Sequence, residues 1–300
     1  MTFVVASRED YLEARARWNE AVEAGRLEEA LALVDAAASW AERNAERELV
    51  ERTFLNRAAI ALELGAGAEL LPELRALLMR SHDAENGFLA AYSLARAYEL
   101  RKESKKALFY AQVGRDRAES LDRGRRASSQ NQLGNLLVAE SRFAEAVTVY
   151  RSSLELLDAA DRLRRAVILD NLGYCEALLG RRLEGLTLLR ESLRALRRLG
   201  AERHELLARL DFCFVLLEVG KPSAARRHGR RALDLATAFG DADAEKNALY
   251  LLGAAAAALG DRFGARRWYS RLQSGFYPDA DYLPDVLLQV DVRGLVNLKA

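Results

Sequence analysis

The chain has 300 residues, half of them hydrophobic and 30% charged, and a formal net charge of +1. Four prolines and dispersed glycines leave no tract for long disorder, and two cysteines 38 residues apart, Cys175 and Cys213, offer neither a disulfide framework nor a CxxC zinc site. No run of about 20 apolar residues is available to span a membrane, and the opening MTFVVASRED lacks the regions of a signal peptide, so a cytoplasmic protein with reduced thiols is expected.

Charge shifts along the chain, from a net −7 over residues 1–100 to +7 over residues 101–200. A repeat organises the same length. Anchor residues recur with a period near 40, at Trp18, Ala58, Ala95, Gly134, Gly173, Cys213 and Gly253. Seven residues beyond each stands a turn residue: Gly25, Gly65, Lys102, Ser141, Gly180, Gly220 and Gly260. Twelve beyond stands a small one: Ala30, Ala107, Ala146, Gly185, Ala225 and Ala265. Trp18 breaks the first small column and Leu70 the second.

Each unit reads as two amphipathic helices joined by a turn. In the fourth, Leu133, Leu136 and Leu137 keep an i, i+3, i+4 rhythm before the turn, and Phe143, Val147 and Tyr150 keep it afterwards. A turn glycine suits the positive φ that follows a helix C-terminus. Glycine inside a helix costs about 1 kcal/mol relative to alanine. Gly134, Gly173 and Gly253 therefore imply that the two helices of a unit cross too closely for a larger side chain.

These columns resemble the tetratricopeptide repeat (TPR) family, which pairs a Leu-Gly in the first helix with a small residue twelve positions on and an aromatic four further. Gly134, Ala146 and Tyr150 match, as do Gly253, Ala265 and Tyr269. The resemblance covers about residues 8–274 in seven units and is most specific in the fourth and seventh. The period exceeds the family's usual value of about 34, and the closing proline is missing. Together these imply second helices about one and a half turns longer. The implied fold is all-α: a right-handed α-solenoid of about seven helix-turn-helix repeats over residues 1–274, its first helices lining the concave face, with a cap or docking tail over residues 275–300.

The resemblance further implies a non-enzymatic protein-interaction module that binds a peptide segment of a protein partner in its groove. The corresponding positions are Tyr92 and Arg96 in unit three, Asn131 and Asn135 in unit four, Asp170, Asn171 and Tyr174 in unit five, and Phe214 in unit six. Tyr250, Ala254, Ala257 and Ala258 turn the groove apolar in unit seven. An asparagine amide both donates to and accepts from a peptide unit, and the aromatics supply apolar contact. The other reading is a regulatory sensor whose superhelix responds to a peptide or small ligand.

No GxxxxGK[ST], HExxH or GxSxG motif occurs. His82, His204 and His228 fall in different units, so neither catalysis, a metal nor a cofactor is expected. Arg190, Arg194, Arg197 and Arg198, then Arg226, Arg227, Arg230 and Arg231, then Arg266, Arg267 and Arg271 would form a basic stripe on second helices. Such a stripe suits nucleic acid, but the net charge near zero and scarce interleaved aromatics favour a solvated surface.

The tail, DYLPDVLLQVDVRGLVNLKA, differs in texture. Tyr282 to Leu288 read as one short helix with Pro284 near its start. Val290 and Val292 then suggest an extended piece, broken by Gly294, with Leu295, Val296 and Leu298 apolar again. So many apolar residues are not expected to dangle in water. Three fates stand open: a cap on unit seven, a fold back into the groove over Ala254, Ala257 and Ala258, or a docking element for a homodimer.

Overall fold

A computed structural model describes residues 4–23 and 26–299. The chain divides into two compact units, Met1–Leu136 and Leu137–Ala300. The first holds α1 (Arg8–Glu23), α2 (Leu27–Arg43), α3 (Arg47–Glu63), α4 (Leu71–Arg80), α5 (Ala84–Leu100), α6 (Ser104–Ala118) and most of α7 (Arg123–Ala139). The second holds the end of α7, then α8 (Phe143–Leu156), α9 (Arg162–Leu178), α10 (Arg182–Leu199), α11 (Glu202–Glu218), α12 (Pro222–Phe239), α13 (Ala242–Ala258), α14 (Arg262–Phe276) and α15 (Leu283–Gln289). Among the described residues no strand forms, and no helix is long and apolar enough to cross a membrane.

Taken in pairs, α1 to α14 are the helix-turn-helix repeats that the spacing predicts. Every anchor lies in a first helix, and the turn residues end those helices. Gly180 has φ 87°, and the same position is filled by Ser141 at 57° and Lys102 at 58°. The chain reverses there in a Schellman pattern: the Arg181 amide donates to the Glu176 carbonyl at 2.9 Å and the Gly180 amide to Ala177 at 3.1 Å. Gly25, the expected turn of unit one, lies outside the described residues.

The two breaks in the small columns have local explanations. Trp18 is 1% exposed and meets Tyr11 edge-on with ring centroids 5.9 Å apart. Alanines make room for it, since Ala30, Ala37 and Ala41 of α2 are fully buried in the same cluster. Leu70 is not in an α-helix: a 3-10 turn at Ala68–Leu70 precedes α4, which has only 10 residues. That is the irregular repeat.

In the second unit the repeat is regular and tight. A Cβ on Gly185 would lie 2.5 Å from the Gly173 carbonyl oxygen and 2.9 Å from the Ala177 nitrogen, both backbone atoms. A Cβ on Gly253 would run into the ring of Tyr269. Both the small residues and the family's aromatic are thus set by the crossing of first and second helices. First helices of neighbouring repeats also pack side by side, α9 with α11 and α11 with α13.

Cys175 and Cys213 are buried as small apolar residues, and burial pushes both thiols up to about 12. Of the histidines, His82 and His204 are exposed, while His228 sits half-buried in the middle of α12, edge-on to Phe212 at 4.7 Å. Burial and the nearby Arg209 hold its imidazole down at about 4.

Candidate peptide-binding groove

Within the chain, the tail makes two sets of contacts. Its helix α15 packs on α14 as a cap, pinned by a bidentate pair in which Arg266 donates to Asp285 at 2.7 and 3.1 Å. Pro284 stands in its first turn. The backbone extends at Val290 (φ −117°, ψ 127°), but the expected extended piece ends there: Val292 (φ −91°, ψ 3°) opens a 3-10 turn at Arg293–Leu295, and the chain turns back across the first helices of the second unit. It passes over Ala254, Ala257 and Ala258, then α11 and α9, and reaches the end of α7.

Four polar anchors hold this stretch. Arg293 donates to the Leu217 carbonyl at 3.2 Å and pairs with Glu218 at 3.6 Å. It also holds the Asp291 carboxyl down at about 2 through a side-chain hydrogen bond. Asn297 donates to the Val138 carbonyl at 2.8 Å and accepts from the Tyr174 hydroxyl at 3.3 Å. Val138 and Leu217 lie in the last turns of α7 and α11, where carbonyls carry partial negative charge, and they accept these tail donors in addition to the Ser141 and Gly220 amides that close the turns at 2.8 and 3.1 Å.

The third anchor is the tail backbone. The Leu298 amide donates to the Tyr174 hydroxyl at 3.1 Å, and Asn247 of α13 donates to the Leu298 carbonyl at 3.3 Å. Burial raises the Tyr174 phenol well above its ordinary value, so it stays a donor as well as an acceptor. The fourth anchor is Lys299. Its Nζ donates to Asn171 Oδ1 at 2.6 Å, lies 2.6 Å from Asp211 Oδ2 and 3.8 Å from Asp170 Oδ2, and sits 5.2 Å from the Tyr174 ring centroid.

Asp170 is 5% exposed and Asp211 3%. Burial, and next the charge of Asp211, raise the Asp170 carboxyl well above 3.8. Burial opposes the Lys299 ammonium, but Asp211 and Asp170 outweigh it and hold the amine above 10.5. The signs follow by linkage. The contribution of Asp170 to stability is complete below about 3.8 and fades as pH rises through its raised value. That of Lys299 is complete up to about 10.5 and is lost as pH rises through its raised value.

Of the residues expected to line the groove, Asp170, Asn171 and Tyr174 converge on the tail lysine, and Phe214 packs 5.9 Å from the Tyr174 ring. Tyr92, Arg96, Asn131 and Asn135 belong to the first unit. There Arg96 pairs with Glu63 and Glu99 at 3.1 and 2.8 Å, and the Tyr92 carbonyl accepts from Gln132. Asp211, Asn247, Asn297 and Lys299 were not anticipated. The available signal for Asp211 was a lone acid inside the apolar run ARLDFCFVLL of α11. The arginines of the expected stripe are exposed on α10, α12 and α14, except Arg226, which is half-buried.

No known family's sequence pattern matches the chain, and no curated protein matches it. Solved structures do. A Rap protein complexed with competence and sporulation factor superposes with a TM-score of 0.73 at 14% identity, over 93% of this chain and 79% of that one. The apo form of RapI gives 0.64 at 10% identity, over 96% and 84%. BtubC from P. vanneervenii gives 0.56 at 18% identity, over 76% and 93%. In fold, this chain is thus a helical-repeat protein similar to the tetratricopeptide-repeat type.

Proposed function

We propose that the first-helix groove of the second unit binds a peptide segment of a protein partner and performs no chemistry on it. The observation that carries the reading is that the groove already holds a non-helical stretch of chain, residues 290–299, interrupted only by one 3-10 turn at Arg293–Leu295. Tyr174 and Asn247 satisfy both the amide and the carbonyl of Leu298. Contacts of that kind grip any peptide backbone, because every residue but proline offers the same donor and acceptor. The Rap protein of similar fold, complexed with its factor, supports the reading by analogy. On this reading Asn171, Tyr174 and Phe214 line the receptor, and the tail from residue 275 is a removable occupant. The protein works in the cytoplasm with no cofactor, and its exposed arginines face solvent.

The test is a displayed random-peptide library selected on the full chain, with enriched peptides measured against the double variant Asn171→Ala, Tyr174→Ala. Binding should fall at least about tenfold in the variant, with helicity unchanged by circular dichroism. A library that enriches nothing, or peptides that bind both proteins equally, sinks the reading. The docked tail also favours the sensor reading, since a ligand that displaces it would free residues 290–299 for a second contact. Enriched peptides that raise the melting temperature while exposing the tail to protease would support that version.

A further inference from the structure

We infer that the groove selects its partner segments by a lysine, with Asp170 and Asp211 forming the pocket that reads the ammonium, and that residues 290–299 are an internal stand-in for such a segment. This rests on the groove being a segment receptor.

The pocket is built into the scaffold. Asp170 and Asp211 come from neighbouring first helices and are almost fully buried. Two buried carboxylates side by side are costly unless a cation compensates them. Among the described residues the cation paired with them is Lys299, which belongs to the tail and not to the helices. The arrangement suits an ammonium. One amide acceptor at 2.6 Å, carboxylates at 2.6 and 3.8 Å and an aromatic face surround one point. A compact three-donor ammonium satisfies that set, whereas a planar guanidinium seeks a bidentate edge.

The tail fills the pocket imperfectly. Asp170 Oδ1 and Asp211 Oδ2 are both buried without a well-aligned hydrogen-bond partner, so the ammonium meets the two acids as ion pairs, 3.8 Å from Asp170 Oδ2 and 2.6 Å from Asp211 Oδ2. Cavities of about 290 and 300 Å³ flank the seated tail, one beside Ala254 and Val290, the other beside Phe214 and Val296. The stretch is thus held at a few polar points and not by close packing, as a displaceable occupant should be. Asn297, two residues before the lysine, bonds both Tyr174 and the end of α7. The recognised pattern is therefore an Asn-x-Lys segment in a turn, closed by the Lys299 amide donating to Asn297 Oδ1 at 3.0 Å.

The probe is the labelled, acetylated peptide VDVRGLVNLKA, with companions carrying norleucine or arginine in place of the lysine. The proteins are the full chain, its K299A variant, and K299A combined with D211N. K299A should bind the lysine peptide at least about tenfold more tightly than the parent, because its own tail no longer competes. The norleucine peptide should bind K299A on the order of 10- to 100-fold more weakly, the size of a lost charge-assisted hydrogen bond. D211N should cause a similar loss, with helicity retained. If D211N fails to fold, the peptide series on K299A decides alone. Equal binding of the lysine and norleucine peptides would overturn the lysine pocket and leave the groove reading standing. Rejection of all three peptides, together with an empty library selection, would overturn both. A parent chain that is a dimer and becomes monomeric on K299A would also overturn the proposal, since the occupant would be the tail of a second copy.

Discussion

The double substitution Arg151→Met and Arg181→Met is expected to lower the unfolding free energy by about 3–5 kcal/mol, the usual cost of leaving a buried charge without its partners. The charge is Glu176 of α9, whose side chain is 0% exposed. Arg151 reaches it from α8 at 2.7 Å, and Arg181 reaches it from the turn that follows α9. Both arginines are about half exposed, with side-chain exposures of 54% and 47%, so their own loss to solvent matters little. The cost falls on the stranded carboxylate. Glutamine at 176 should therefore restore most of the lost stability in the triple variant, because a neutral amide needs far less compensation. Urea unfolding of the three proteins checks this. A loss below about 1 kcal/mol in the double variant would mean that water reaches Glu176. The pair also matters for the groove, since Glu176 follows Tyr174 by two residues and ties α9 to α8.

The second large effect is a reversal of sign. Alanine for glycine inside a helix ordinarily stabilises by up to about 1 kcal/mol. At Gly185 it should instead destabilise by about 1–3 kcal/mol, the range for overpacking, because the new methyl meets the backbone of α9 at 2.5 Å and backbone cannot rotate aside. Gly275 of α14 is the control: a Cβ there meets nothing within 4 Å, and Gly275→Ala should leave stability unchanged or slightly raised. Urea midpoints measured on both variants decide it. If Gly185→Ala matched Gly275→Ala, the close crossing of α9 and α10 would be wrong.

The sequence by itself determined the repeat. The period near 40, the turn column and the small columns are local facts: among the described residues a positive-φ residue follows the first helices of units two to seven, and at Gly173, Gly185 and Gly253 a missing Cβ permits the crossing. Such signals survive in one dimension because each repeat packs mainly on its neighbours. They even marked their own exceptions, since Trp18 and Leu70 sit where the structure fills a cluster with alanines and where α4 starts late. The register of the first helices singled out Asp170, Asn171, Tyr174 and Phe214, and the fold brings the first three around the tail lysine.

Only the tertiary structure decided where the tail goes. Its texture was compatible with a cap, a plug or a docking element, and it turns out to cap with α15 and return along the groove with residues 290–299. Lys299 reaches Asn171 across 128 positions of sequence and Asp211 across 88. No periodicity links residues so far apart. What joins them is the unmet charge of two carboxylates, and that becomes visible only once α9 and α11 have buried them side by side.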